Sequence, residues 1–290
     1  MRACTPTTTA GGFRRALAVL TIAVLAIAGC APSSLDTAVP VWGTIAVPPT
    51  SPVLELELPE WSPAPTTSAA DALANDLQGA VLKPEIVDWP IIWTDERTQL
   101  AALYFQVHKG WDITPSTDLD ALTTMDPQLV VVHWTAGPSA KGAFNTFRSV
   151  RQRGQRIRRE WNAVNLAAHF IVDRDGTIFQ LMPATRMGRH TIGLNHLAIG
   201  IENVGDGDRY PLTEAQLRAN ADLVRWLHWR HDLTHLIGHF EYRDFEDHPY
   251  FVETFEWFRT GRIDPGKDFM ADLRAELDDL GLEGSPLLDG

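Results

Sequence analysis

The chain has 290 residues, 44% of them hydrophobic, and a formal charge of −12. This is enough apolar chain for one well-buried domain of moderate size with extensions, and the acidic balance speaks against nucleic acid as a partner. With only two cysteines, Cys4 and Cys30, it excludes a disulfide-rich scaffold.

Residues 1–29 read as a secretion signal. Arg2, Arg14 and Arg15 precede an apolar run from Ala16 to Ala28 that is too short to span a bilayer comfortably. Its end, Ile27-Ala28-Gly29-Cys30, resembles the lipobox of bacterial lipoproteins, in which Cys30 is lipidated and becomes the new N-terminus. Ordinary cleavage after a small residue is the plainer alternative, but it leaves Cys30 without a use. Cys4 departs with the signal, so no disulfide forms, and an exported domain without crosslinks relies on its core or on a bound metal. Without those residues 22 basic side chains face 37 acidic ones, a net −15. The expected location is the bacterial cell envelope, as a membrane-anchored lipoprotein facing the periplasm or exterior.

Residues 30–79 are rich in Pro, Thr, Ser and Ala and read as an extended tether. Within them Val53-Leu54-Glu55-Leu56-Glu57-Leu58 alternates as one short strand would. Residues 80–126, with Trp89, Trp93, Leu100, Leu103, Tyr104 and Phe105, form a lead-in expected to pack on the main domain, including a helix over Asp95 to His108.

The main domain spans 127–282, with 283–290 as a tail. Leu129 to His133 is a strand, followed by a polar excursion. Arg148, Arg151, Arg153, Arg156, Arg158 and Arg159 lie there, either a solvated helix face or a patch gripping substrate carboxylates. Ala167 to Val172 and Thr177 to Leu181 form a hairpin around Asp173-Arg174-Asp175-Gly176. A strand follows at Ala198 to Asn203, then a helix from Thr213 to about His231, where Thr213 and Gln216 match a capping box. His235 to Gly238 is another strand, and Phe269, Leu273, Leu277 and Leu280 mark a closing helix that stops at Gly281. The alternation predicts an α/β (α+β) fold, a central mixed β-sheet flanked by helices.

Two histidines end apolar runs, His133 after Leu129-Val130-Val131-Val132 and His239 after Leu236-Ile237-Gly238, and an Asp264-Pro265-Gly266 turn follows. Two neutral imidazoles and one carboxylate suit Zn2+, and three protein ligands leave the fourth position for water. Glu202, in Ile199-Gly200-Ile201-Glu202-Asn203, can supply a base. Spacing alone is weak support, since any one of ten histidines is more often a surface or core residue than a ligand.

The flanking residues add weight when taken in order. They are Val131-Val132-His133-Trp134-Thr135-Ala136, Ala168-His169-Phe170-Ile171-Val172-Asp173-Arg174-Asp175-Gly176-Thr177-Ile178, Ile199 to Gly205, Gly238-His239 and Asp264-Pro265-Gly266. The set resembles the zinc-dependent N-acetylmuramoyl-L-alanine amidases of the type 2 amidase family, relatives of the peptidoglycan recognition proteins, over roughly the second half of the chain. The resemblance implies His133, His239 and Asp264 as zinc ligands and Glu202 as catalytic base or acid. It places His190, with Trp134 and Thr135, along the substrate groove, and His169 in a structural or supporting position. Where the family commonly carries a lysine two residues before the third ligand, this chain has Arg262, which keeps the charge for a developing oxyanion but not the geometry.

The stretch 240–261 is a further departure, expected as an insertion beside the groove. It carries His248 and the aromatics Tyr250, Phe251, Phe255, Trp257 and Phe258, which either pack the insertion down or stack on substrate. The function implied is zinc-dependent hydrolysis of the amide between the lactyl group of N-acetylmuramic acid and L-alanine in peptidoglycan or a muropeptide, by a monomer held to the membrane through its N-terminal lipid. The alternatives are a non-catalytic peptidoglycan-binding lipoprotein and a zinc site that only stabilises the fold, with a fourth protein ligand such as His248.

Overall fold

The computed structural model describes residues 82–152 and 162–287. The expected signal, Cys30, the tether with its 53–58 strand, and Arg153, Arg156, Arg158 and Arg159 lie outside them. Among the described residues, no helix is long and apolar enough to cross a membrane.

Continuous branched apolar runs belong to strands buried on both faces, and the three longest runs become neighbouring parallel strands. These are β2 (Leu129–Trp134), β5 (Ala198–Asn203) and β6 (His235–Gly238). The expected hairpin is present but shorter, as β3 (Phe170–Val172) and β4 (Ile178–Gln180), antiparallel around Gly176 at φ 91°. Its outer residues are drawn elsewhere: the Ala167 N–H donates to Arg189 O, and the His169 N–H to Gly200 O. The lead-in does more than pack. Its β1 (Ile86–Asp88) joins the sheet edge parallel to β4, giving the order β1-β4-β3-β5-β2-β6.

Side chains alternate across this sheet. Val130 and Val132 of β2, with Ile199 and Ile201 of β5, meet α4 (Glu214–His231) and α5 (Lys267–Glu276) through Leu223, Val224, Leu227, Met270 and Leu273. α4 opens on the capping box expected from Thr213 and Gln216. The closing helix ends at Glu276, short of Gly281, because Asp278–Leu280 tightens into a 3-10 turn. On the opposite face Leu129, Val131 and Ile237 pack with Leu194, Tyr242 and Phe245.

Two further helices precede the hairpin, the short α2 (Leu119–Leu122) and α3 (Ala140–Phe147). α3 occupies part of the stretch taken as a polar excursion; Ser139 caps it, and Ala143, Phe144 and Phe147 pack on Ile171 and Phe179.

The lead-in helix α1 (Asp95–Lys109) runs one residue beyond its expected end and ends against the insertion. His108 Nδ1 lies 2.8 Å from a Glu253 carboxylate oxygen, and Lys109 Nζ donates to Gly193 O and Val252 O at 2.5 Å each. Phe255 and Phe258 stand 5.5 and 4.7 Å from the His108 ring, centre to centre. These aromatics therefore pack the insertion down, whereas Trp257 is 69% exposed. Arg151 makes a surface pair with Glu96, and Arg148 reaches Asn145.

Candidate metal centre

The alternation that buries Val130 and Val132 against the helices turns His133 to the other face of β2. The parallel register places Glu202 of β5 directly beside it. His239 is the first residue after β6, so its ring comes off the same edge, where the parallel strands end. Open sheets bind ligands at such carboxyl ends. The turn carrying His239 is fixed by Glu241, whose carboxylate accepts from the Gly238 N–H at 2.7 Å and from Arg274 Nη2 at 2.6 Å. The Phe240 N–H donates to Asp264 O at 3.1 Å, which brings the far end of the insertion back to the site. Buried amides hold the carboxyl end of β5: Asn203 donates to His133 O at 3.2 Å and accepts from Asn220 at 2.7 Å.

The three expected ligands converge. His133 Nδ1 lies 2.9 Å from His239 Nδ1 and 3.3 Å from Asp264 Oδ2, and His239 Nδ1 is 3.0 Å from the same oxygen. Zinc bonded tetrahedrally at about 2.0–2.1 Å separates its ligand atoms by roughly 3.3 Å; one edge matches that span, and the other two, at 2.9 and 3.0 Å, are slightly shorter. These residues are 2%, 5% and 8% exposed, and they form a group able to hold a metal ion. Burial alone would raise the Asp264 carboxyl, but the His133 and His239 rings against its Oδ2 outweigh it and hold the group well below the usual carboxylate range. Burial pushes the His239 imidazole down to about 4, which keeps it a neutral donor.

Glu202 is 8% exposed, and its Oε2 has no hydrogen-bond partner among the described residues. Burial pushes its carboxyl up to about 7, against the pull of His133; the Asp264 charge raises it further and Arg262 lowers it. A carboxyl poised near neutrality can both take and return a proton.

The other expected residues surround this core in different ways. Arg262 is exposed and lines an open cleft of about 580 Å³ with Phe240, Asp244 and Lys267, close enough for its charge to act on Glu202 and His239. Trp134 is half-buried with its ring against Gly207, and Thr135 Oγ1 donates to Gly137 O at 3.2 Å, so both build the loop wall above β2. His190 stands behind the His133–His239–Asp264 group, 3.0 Å from His133 Nε2. His169 is fully buried between Arg186 O and the Gly200 N–H, a structural place. His248 does not join the ligand group; its ring packs on Phe245, Tyr250 and His235. Sequence reasoning missed Asn195, whose Oδ1 accepts from the His190 and Thr191 N–H groups at 2.9 and 2.7 Å. Its place five residues after His190 was the available signal.

Several imidazoles are held neutral by burial, which sets a pH dependence of stability. His169 is pushed down to about 4 and His196 to about 3, and His190 and His239 shift the same way. The unfolded chain takes up these protons near pH 6.5 and the folded one does not. Stability is therefore full above that pH and lost as pH falls toward 4. Glu202 moves oppositely, but it is one group against four. Thermal melting of chelator-treated protein should give a lower Tm at pH 5 than at pH 7.5; an equal or higher Tm at pH 5 refutes this.

A family model described as N-acetylmuramoyl-L-alanine amidase matches residues 123–267. Mouse peptidoglycan recognition protein 3 is 28% identical over 172 residues, 57% of this chain and 49% of its own length, so the chain spans about half of that relative. The amidase LysCS from Clostridium intestinale aligns at 20% identity over 69% of this chain and 99% of its own, with a TM-score of 0.42. Human PGRP-IBETAC, in complex with glycosamyl muramyl pentapeptide, aligns at 20% identity over 52% of this chain and 84% of its own, with a TM-score of 0.37.

Proposed function

Because the chain belongs to the N-acetylmuramoyl-L-alanine amidase family, we propose that it is a zinc-dependent hydrolase of the amide joining the lactyl group of N-acetylmuramic acid to L-alanine, in peptidoglycan or its fragments. The observation that carries this reading is the meeting of His133 Nδ1, His239 Nδ1 and the Asp264 carboxylate beside an unpaired Glu202 oxygen.

His133, His239 and Asp264 would hold the ion. When bound, zinc supplies a Lewis acid for the amide carbonyl and shifts the ionisation of water toward about pH 7. Glu202 accepts a proton from the attacking water as its oxygen bonds to the carbonyl carbon. As the carbon–nitrogen bond breaks, Glu202 returns the proton to the departing L-alanine nitrogen. Arg262 contributes positive charge to the oxyanion from the cleft side. The burial that raises Glu202 supports its place in both transfers.

The second reading, a peptidoglycan-binding protein without activity, draws on the name of the mouse relative. The converging trio and a Glu202 oxygen with no partner among the described residues support hydrolysis over it. A purely structural zinc would need a fourth protein ligand, and the packing of His248 among aromatic rings argues against that role. The Ile27-Ala28-Gly29-Cys30 string supports lipid anchoring in the bacterial envelope, facing the periplasm or exterior. Incubating the zinc-loaded protein with defined muropeptides and weighing the products by mass spectrometry tests the activity. Free stem peptide with an L-alanine amino terminus is expected; muropeptides left intact, or cut at another bond, refute it.

A further inference from the structure

The hydrogen bonds behind His133 run in one direction. His190 Nε2 is 3.0 Å from Ala198 O, and a carbonyl only accepts, so that nitrogen carries a proton. A neutral imidazole carries a single ring hydrogen, and here it is spent on Ala198. Nδ1 of the same ring is therefore a lone pair, 3.0 Å from His133 Nε2. His133 must donate there. Its own Nδ1 is then the unprotonated nitrogen, and Nδ1 is the atom that faces His239 and Asp264.

Resting on the proposed zinc site, we propose that His190 is a positioning residue that hands the Ala198 carbonyl's preference to His133, fixing the tautomer and ring angle in which His133 presents Nδ1 to the metal. Outer partners of metal-bound histidines act in this way, orienting the ring and raising its basicity. The cradle around His190 is built for the task. A Cβ on Gly200 would stand 2.9 Å from the His190 ring, so only glycine at this position of β5 admits it. Asn195, 1% exposed, anchors the His190 backbone. Thr191 Oγ1 lies 2.9 Å from His190 Nδ1 and 3.5 Å from His133 Nε2, beside the junction of the two rings. Ile199-Gly200-Ile201-Glu202 thus serves the site twice, with Glu202 at the chemistry and Gly200 beneath the relay.

The test is zinc affinity measured by chelator competition, without substrate, on the wild type, His190→Ala and His190→Gln. His190→Ala should weaken zinc by roughly 10- to 100-fold. His190→Gln, whose amide can accept from His133 and donate to Ala198, should recover most of the loss. A folded His190→Ala protein with wild-type affinity overturns the proposal, as does a glutamine variant no better than alanine. Should His190→Ala fail to fold, nitrogen NMR of the zinc-free wild type decides. His133 protonated at Nε2 supports the relay, and protonation at Nδ1 overturns it. A wild type that binds zinc but cleaves nothing would refute the hydrolase reading alone.

Discussion

Replacing Glu202 by glutamine should lower hydrolysis by about 10²- to 10⁴-fold, the range lost with a general acid–base group, while zinc content stays at the wild-type level. The substitution keeps the shape of a residue that is 8% exposed and removes only its capacity to hold a proton. It also removes a carboxyl that burial pushes up to about 7. A buried amide at this place costs less than a buried charge, so the variant should melt no lower than the wild type. The assay is peptide release from a defined muropeptide alongside metal analysis of the same sample. Activity within tenfold of wild type would take Glu202 out of the mechanism, and loss of zinc together with activity would make it part of the metal site instead.

The second large effect is expected at Asp264. Replacing it by alanine removes the only anionic atom of the trio and leaves two imidazole nitrogens facing each other at 2.9 Å. Loss of a direct ligand should exceed the roughly 10- to 100-fold penalty typical of outer-shell partners. Zinc should therefore be absent from the purified variant and hydrolysis undetectable. In the wild type, chelation should abolish cleavage and added zinc restore it. Wild-type cleavage by the alanine variant would separate the reaction from this trio.

Much of the fold was legible because its longest strands are fully buried. Unbroken runs such as Leu129 to Val132 and Ala198 to Ile201 can only be core, and Thr213 with Gln216 states where α4 begins. β1 escaped notice because three residues carry no readable period, and its place at the sheet edge is decided by pairing with Ile178 to Gln180, about ninety positions away. α3 was hidden by Lys141, Gly142 and Asn145, which are polar or weakly helical, while Ala143, Phe144 and Phe147 supply its buried face. The convergence of His133, His239 and Asp264 beside Glu202 was anticipated from local strings and a family resemblance. The direction of the hydrogen bonds from Ala198 through His190 to His133 was not, because it depends on which atoms meet across three separate segments. The clamp of His108 and Lys109 on Glu253, Val252 and Gly193 escaped for the same reason.

The central claim is one divalent cation held by His133, His239 and Asp264 with a coordination position left open. X-ray diffraction at the zinc absorption edge from crystals grown with zinc tests it most directly. The account predicts a single anomalous peak bonded to His133 Nδ1, His239 Nδ1 and an Asp264 oxygen, its remaining position taken by solvent. A peak closed by a fourth protein ligand, or no peak between these side chains, would contradict it.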